Sequence, residues 1–213
     1  MTTFLFDLFF TLATFEAHVY KHEIERLRIT LADWERAVIE SGAYLGYVTE
    51  PMELMRDFVR CAGVTISEEE LQALCEGRIA RVREIVTNVR PEILDMLCEL
   101  KRRGHGLCLV SNADAIDLLP WPDSPLASLF DEAIFSCEVH LQKPDPAIYL
   151  LAASRMGARP EDCVFIGDGG SNELAGAKAV GMRTVQARWF LQREVEGVDV
   201  KIDRIEDVLK LHL

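Results

Sequence analysis

Short apolar runs recur along this chain, and most of them close on a small cluster of polar residues. Thr3-Phe-Leu-Phe-Asp7-Leu8, Gly106–Val110, Ala133–Ser136, Cys163–Ile166 and Arg183–Ala187 have the near-continuous hydrophobicity of strands covered on both faces. Val198–Ile202 is a weaker sixth run. Helical periodicity fills most of the intervals. Glu92–Arg103 places Ile93, Leu94, Leu97 and Leu100 on one face and stops at Gly104. Pro146–Met156 and Glu173–Val180 read as further helices, closed by Gly157 and Gly181. Alternation of this kind predicts a parallel sheet with helices on its faces.

Residues 15–87 break the rhythm, because no convincing strand lies among them. Ile24, Leu27, Leu31, Trp34 and Val38 follow helical steps of three and four, and Thr30 with Asp33 supplies a cap. Ser67-Glu-Glu-Glu70 is a capping box leading into a helix that ends near Val86. The expectation is an all-helical insert between the first strand and the rest of the sheet. An insert at that place acts as a lid, since open α/β sheets bind ligands beyond the carboxyl ends of their strands.

Composition narrows the partners. Asp and Glu outnumber Lys and Arg by 35 to 23 in 213 residues, a net charge of −12, which argues against a nucleic-acid groove and against anionic membrane surfaces. No apolar run approaches the length of a membrane span, and Thr3–Leu12 carries Asp7 with no basic lead-in, so a cytoplasmic location is expected. The six cysteines have neither CxxC spacing nor a disulfide-like framework; they are expected to be buried, reduced thiols rather than zinc ligands.

Four polar clusters fall at the predicted strand ends: Asp7, Ser111-Asn112, Lys143-Pro144, and Gly167-Asp168 with Glu173 five residues on. Taken singly, each has a plain structural role as a turn, a solvated loop or a helix cap. Together they bring a hydroxyl, an amide, an ammonium and three carboxylates to one edge of the sheet. Lys143 and a divalent cation would neutralise a phosphate while Ser111 donates to it. Carboxylates suit magnesium, a hard cation that takes oxygen ligands, and one carboxylate is placed to attack phosphorus.

Phe6-Asp-Leu-Phe-Phe-Thr-Leu12, Leu109-Val-Ser-Asn112, Lys143-Pro-Asp-Pro146 and Ile166-Gly-Asp-Gly-Gly-Ser-Asn-Glu-Leu174 resemble, in order and spacing, the four motifs of the haloacid dehalogenase-like hydrolases. The resemblance implies an α/β fold, with a Rossmann-like three-layer core around a parallel sheet in residues 1–14 and 88–213 and an all-helical cap domain in 15–87. It implies that Asp7 is the nucleophile, that Thr11 and Ser111 contact the phosphoryl group, and that Lys143 pairs with both. Asn112, Ser111 and Lys143 would bind the substrate, a small phosphorylated molecule. Asp7, Asp168 and the backbone carbonyl of Phe9 would ligate Mg2+, with Glu173 close to it or acting through water.

One position departs from the pattern. Phosphatases of the family carry a second aspartate two residues after the nucleophile, as the proton donor and base; here that position is Phe9, followed by Phe10 where a small residue is usual. Phenylalanine transfers no proton, a function worth roughly 10²- to 10⁴-fold in rate. Three readings stay open: a magnesium-dependent phosphatase lacking its usual acid, a 2-haloacid dehalogenase, or a phosphate- and metal-binding regulatory module. His18 and His22, with Glu16 a weaker candidate, lie where a replacement proton donor would enter, although a solvated helix face is the simpler account of the histidines. Gly167-Asp-Gly-Gly-Ser-Asn172 lacks the third glycine of a dinucleotide fingerprint. Trp34, Tyr44 and Tyr47 are expected in the cap core, and the loop Ser41–Glu50 is the expected seat of substrate selection. Trp121 and Trp189 suit a core or an interface equally, and the oligomeric state stays open.

Overall fold

The computed structural model describes residues 2–14 and 21–211. Six parallel strands form one sheet: β1 (Thr3–Phe6), β2 (Gly106–Ser111), β3 (Glu132–Phe135), β4 (Cys163–Gly167), β5 (Arg183–Ala187) and β6 (Val200–Ile202), in the order β3-β2-β1-β4-β5-β6. The strand order reverses at β1, so ligands are expected beyond its carboxyl end.

The helical segments follow in chain order. Before β2 come α1 (Lys21–Leu27), α2 (Leu31–Glu40), α3 (Pro51–Cys61), α4 (Glu68–Thr87) and α5 (Pro91–Arg102). After it come α6 (Ala115–Leu118), α7 (Ser136–Val139), α8 (Pro146–Arg155) and α9 (Glu173–Ala179). Thr30 with Asp33 and Ser67 with Glu70 form reciprocal capping boxes at α2 and α4, each worth about 1 kcal/mol against alanine. Pro51, Pro91 and Pro146 occupy first helical turns, where the missing N–H has no intrahelical partner to lose.

Side-chain alternation along the strands builds the layers. Phe4 and Phe6 of β1, Leu107 and Leu109 of β2, and Val164 and Ile166 of β4 pack on one face with Ile93, Leu97 and Leu100 of α5. Leu5, Cys108, Val110 and Phe165 face the other way, against α8 and α9. Each fully buried Leu or Phe contributes about 1.5–3 kcal/mol through removal from water, and both faces of the sheet are covered.

Between β1 and α5 the described residues contain no strand. The helices there enclose their own apolar cluster around Trp34, Leu54, Phe58 and Leu74, with Trp34 set edge-on to Phe58 at 5.4 Å between ring centroids. This helical cap is joined to the core, since Ile116 of α6 belongs to its cluster and Phe9 and Trp121 pack against both clusters.

Several local expectations need correction. Ser136 does not end the third strand; it begins α7, where its Oγ accepts from Ala113 N at 3.0 Å. Cys98 is exposed and Cys61 half-buried, so burial describes only four of the six free cysteines. Tyr47 is 72 % exposed rather than part of the cap core. Among the described residues no helix is long and apolar enough to cross a membrane.

Candidate active site

The sheet places the site. Phe6 pairs in register with Leu109 and Ile166, so the chain leaves β1 at Asp7 beside the ends of β2 and β4. Asp7 N donates to Ile166 O at 2.9 Å. Ser111 closes β2, and Gly167-Asp168 closes β4.

Lys143 is the hub. Its buried Nζ donates to Asp7 Oδ1 at 2.5 Å and to Glu173 Oε2 at 2.6 Å. Burial alone would strip its proton; the two carboxylates outweigh that and hold the ammonium well above its usual range. Burial and the Asp7 charge push Glu173 up to about 8, against the opposing pull of Lys143. Asp7 is raised as well, by burial above all. Asn112 fixes the lysine backbone, with Nδ2 donating to Lys143 O at 2.9 Å and Lys143 N donating to Oδ1 at 2.7 Å. Its side-chain amide thus orients Lys143 rather than pointing unpartnered at a ligand.

Asp7, Asp168 and Glu173 are buried, and each presents a carboxylate oxygen within 4.8 Å of the others. Three hard oxygen donors so close together fit a divalent cation of the magnesium type. Thr11 Oγ1 lies 3.4 Å from Asp7 Oδ2. Ser111 Oγ is fully buried and has no hydrogen-bond partner among the described residues. An orphaned buried hydroxyl is costly, and a phosphoryl oxygen is the kind of acceptor that would satisfy it. Gly167 has no room for a side chain, because a Cβ would stand 2.1 Å from Glu173 Oε1. Phe10 has φ +59°, in the left-handed region, a conformation that costs a side-chain-bearing residue roughly 1–2 kcal/mol.

Sequence reasoning missed three sets of charged residues. Arg193, in the irregular segment after β5, donates through Nε to Asp168 Oδ2 at 2.6 Å, while Gly170 N donates to Oδ1 at 3.0 Å. Arg78 of α4 reaches Asp114 Oδ2 at 2.6 Å and Asp117 Oδ1 at 3.2 Å, tying the cap to α6. Arg81 pairs with buried Glu23 of α1. The one visible signal was the run of Asp114 and Asp117 just after Ser111-Asn112, which forms a capping box at α6.

A cavity of about 40 Å³ lies between cap and core, with Phe9, Asn112 and Asp117 on the core side and Trp34, Tyr44 and Arg81 on the cap side. The predicted selection loop contributes Tyr44. Its turn is clasped to the core: a Cβ at Gly46 would stand 1.9 Å from Cys137 O, and His140 Nδ1 donates to Leu45 O at 2.6 Å. His18 and Glu16 lie outside the described residues. His22 is half-buried rather than on a solvated face, 3.4 Å through its ring from where a Gly77 Cβ would stand. Burial, with the Arg81 and Arg26 charges, draws its imidazole below the ordinary value, which favours the neutral ring over a proton donor.

Burial and the Asp114 charge push Asp117 up to about 7. The folded protein therefore holds a proton there that the unfolded chain, with an ordinary carboxyl near pH ~4, has released. Stability from this group is full below that pH and is lost as pH rises through about 7. Tm is expected to fall between pH 5 and pH 8, and Asp117→Asn to flatten that decline in a thermal melt series.

Comparison with known proteins assigns the chain that carries this site to a class of hydrolases. The sequence profile of the haloacid dehalogenase-like hydrolases covers residues 1–181, and the chain belongs to that family. It is 36 % identical over 129 residues to phosphoglycolate phosphatase 1 of Pseudomonas aeruginosa, an alignment spanning 58 % of this chain and 47 % of that one. The chain spans about half the length of that relative. A dehalogenase structure superposes with a TM-score of 0.72 at 18 % identity, over 99 % of this chain and 96 % of that one. A HAD family enzyme of Bacteroides thetaiotaomicron, in complex with magnesium and inorganic phosphate, gives 0.67 at 17 % identity over 88 % and 94 %. At these identities the two structures establish the fold.

Proposed function

We propose that this hydrolase is a magnesium-dependent phosphatase that cleaves a small phosphorylated metabolite through a covalent intermediate on Asp7. The observation that carries the reading is the buried trio Asp7, Asp168 and Glu173 arranged around Lys143. A dry pocket with three carboxylates suits a cation and a phosphoryl group and disfavours a bare carboxylate substrate. The magnesium and phosphate in the Bacteroides enzyme support the same chemistry.

In the first step an Asp7 oxygen forms a bond to phosphorus while the bond from phosphorus to the leaving oxygen breaks. In the second, water attacks phosphorus, releasing phosphate and regenerating the carboxylate. Lys143 orients Asp7 and offsets charge on the phosphoryl oxygens, and Ser111 and Thr11 donate hydrogen bonds to them. Asp7, Asp168 and the Phe9 carbonyl would hold Mg2+, with Glu173 beside it; the bound ion would neutralise charge on the transferring group. Glu173 also anchors Lys143. Phe9 gives no proton, so leaving groups that depart without one are favoured. The direct test is phosphate release from acetyl phosphate with and without magnesium.

Arg193 shares Asp168 with the cation. Its side chain is 44 % exposed and is free to swing into solvent, but while paired it occupies one of the oxygens the metal would use. Arg193→Gln is expected to tighten magnesium binding about tenfold, the equivalent of ~1.4 kcal/mol, as read by calorimetry. Unchanged affinity would remove Arg193 from that role.

The aromatic residue at Phe9 favours a second reading, displacement of halide from a 2-haloacid by Asp7, because the haloacid dehalogenases resemble this chain there. Asp168 and Glu173 weigh against it. Halide release from 2-chloropropionate by protein that leaves acetyl phosphate intact would establish it.

A further inference from the structure

The cavity between cap and core meets the candidate site at Phe9 and Asn112. Resting on the phosphatase reading, it is where the leaving group of a substrate that gives its phosphoryl group to Asp7 would lie. Its volume of about 40 Å³ accommodates a few non-hydrogen atoms.

Two arginines in the wall suggest an acid-binding pocket at first sight, but both are already paired. Arg78 is bound to Asp114 and Asp117 at 2.6 and 3.2 Å, with its guanidinium also 5.5 Å from the centroid of the Phe58 ring. Arg81 pairs with Glu23, whose side chain is 3 % exposed. Two cations thus face three carboxylates. Asp117, raised to about 7 by burial and by Asp114, carries a proton part of the time at neutral pH, which at most brings the wall to neutrality. Drawing either arginine away from its partner would leave a buried carboxylate uncompensated, which is strongly unfavourable. Much of the remaining wall is apolar: Phe9, Trp34, Val38 and Val82.

The geometry assigns to this cavity a small, uncharged leaving group, in preference to one that carries a carboxylate. Glu23 sets that preference by neutralising Arg81.

The test uses wild-type protein with magnesium and two phosphonates whose carbon–phosphorus bond resists hydrolysis: 3-hydroxypropylphosphonate and 2-carboxyethylphosphonate. They match in length and differ in the terminal charge. Calorimetry is expected to show the hydroxyl compound binding at least about tenfold more tightly. Glu23→Gln frees the Arg81 charge and is expected to shift the preference about tenfold toward the carboxylate. Equal affinities, tighter binding of the carboxylate compound, or no binding of either by the wild type overturns the assignment. A folded Glu23→Gln protein with an unshifted preference removes Glu23 from it. If that variant fails to fold, the wild-type comparison alone decides. Should acetyl phosphate go unhydrolysed while the preference is present, the phosphatase reading falls and the charge selectivity of the cavity stands.

Discussion

Asp7→Asn is expected to abolish magnesium-dependent phosphate release from acetyl phosphate, a loss of roughly 10⁴-fold or more. The amide keeps the shape of the carboxylate but is a poor nucleophile toward phosphorus, and among the described residues the neighbouring carboxylates are held by other partners. Asp168 is tied to Arg193 and Gly170 N, and Glu173 to Lys143 and Gly169 N. Lys143 retains its contact with Glu173 in the variant, so the lysine keeps one of its two ion pairs. Removing a buried, destabilised charge offsets part of the lost pairing, and Tm is expected to move by only a few degrees. Acetyl phosphate is the substrate of choice because its leaving group departs as the anion and asks nothing of Phe9. A variant that hydrolyses it at the wild-type rate would end the assignment of Asp7 as nucleophile.

Phe9→Asp is expected to act in two opposite directions. Turnover of phosphomonoesters with poor leaving groups should rise by about 10²-fold or more, the usual range for positioned proton transfer. Acetyl phosphate turnover should change little. The rise is to be read as the ratio between the two substrate types, which cancels changes in the amount of folded protein. Stability should fall at the same time. Phe9 packs against the sheet-side cluster and the cap cluster together, and replacing this half-buried ring costs about 2 kcal/mol, somewhat less than a fully buried one. For a chain of this size that corresponds to roughly 4–8 °C in Tm. A folded variant that binds magnesium and gains nothing on poor leaving groups would show that the missing acid is not what limits the rate.

This double attachment gives Phe9 a structural meaning that the sequence comparison alone does not supply. At the position where the family resemblance would place a proton-transferring acid, this chain carries an apolar contact that joins the helical insert to the core. Trp121 and Ile116 extend the same contact. Ionic links run alongside it, from Arg78 of α4 to Asp114 and Asp117 and from Arg83 to Asp123.

The sheet and its layers are legible in the sequence because their signals are local. A strand buried on both faces needs a continuous apolar run, and a helix packed on it needs apolar residues every three or four positions, so β1, β2, β4, β5, α5, α8 and α9 each announce themselves within a dozen residues. The cap expected at Thr30 with Asp33 and the capping box expected at Ser67 with Glu70 both formed for the same reason: donor and acceptor are three residues apart. The third strand was misplaced at its end because Ser136 turns into α7, with its hydroxyl bound to Ala113 across 23 residues of chain, a distant interaction that no local pattern contains.

The amino-acid order by itself determined that Asp7, Ser111, Lys143 and Asp168 would stand at one edge of a parallel sheet, since strand direction carries every strand's end to the same side. It did not determine which charges would neutralise which. The pairing of Lys143 with Asp7 across 136 residues, of Arg193 with Asp168 across 25 and of Arg78 with Asp114 across 36 arises only when separate segments dock. The same docking converts Glu23 and Arg81 from helix-surface charges into the neutralised wall of a cavity. Coulombic partnership depends on distance through space and on exclusion of water, and both come into being only with the packed tertiary structure.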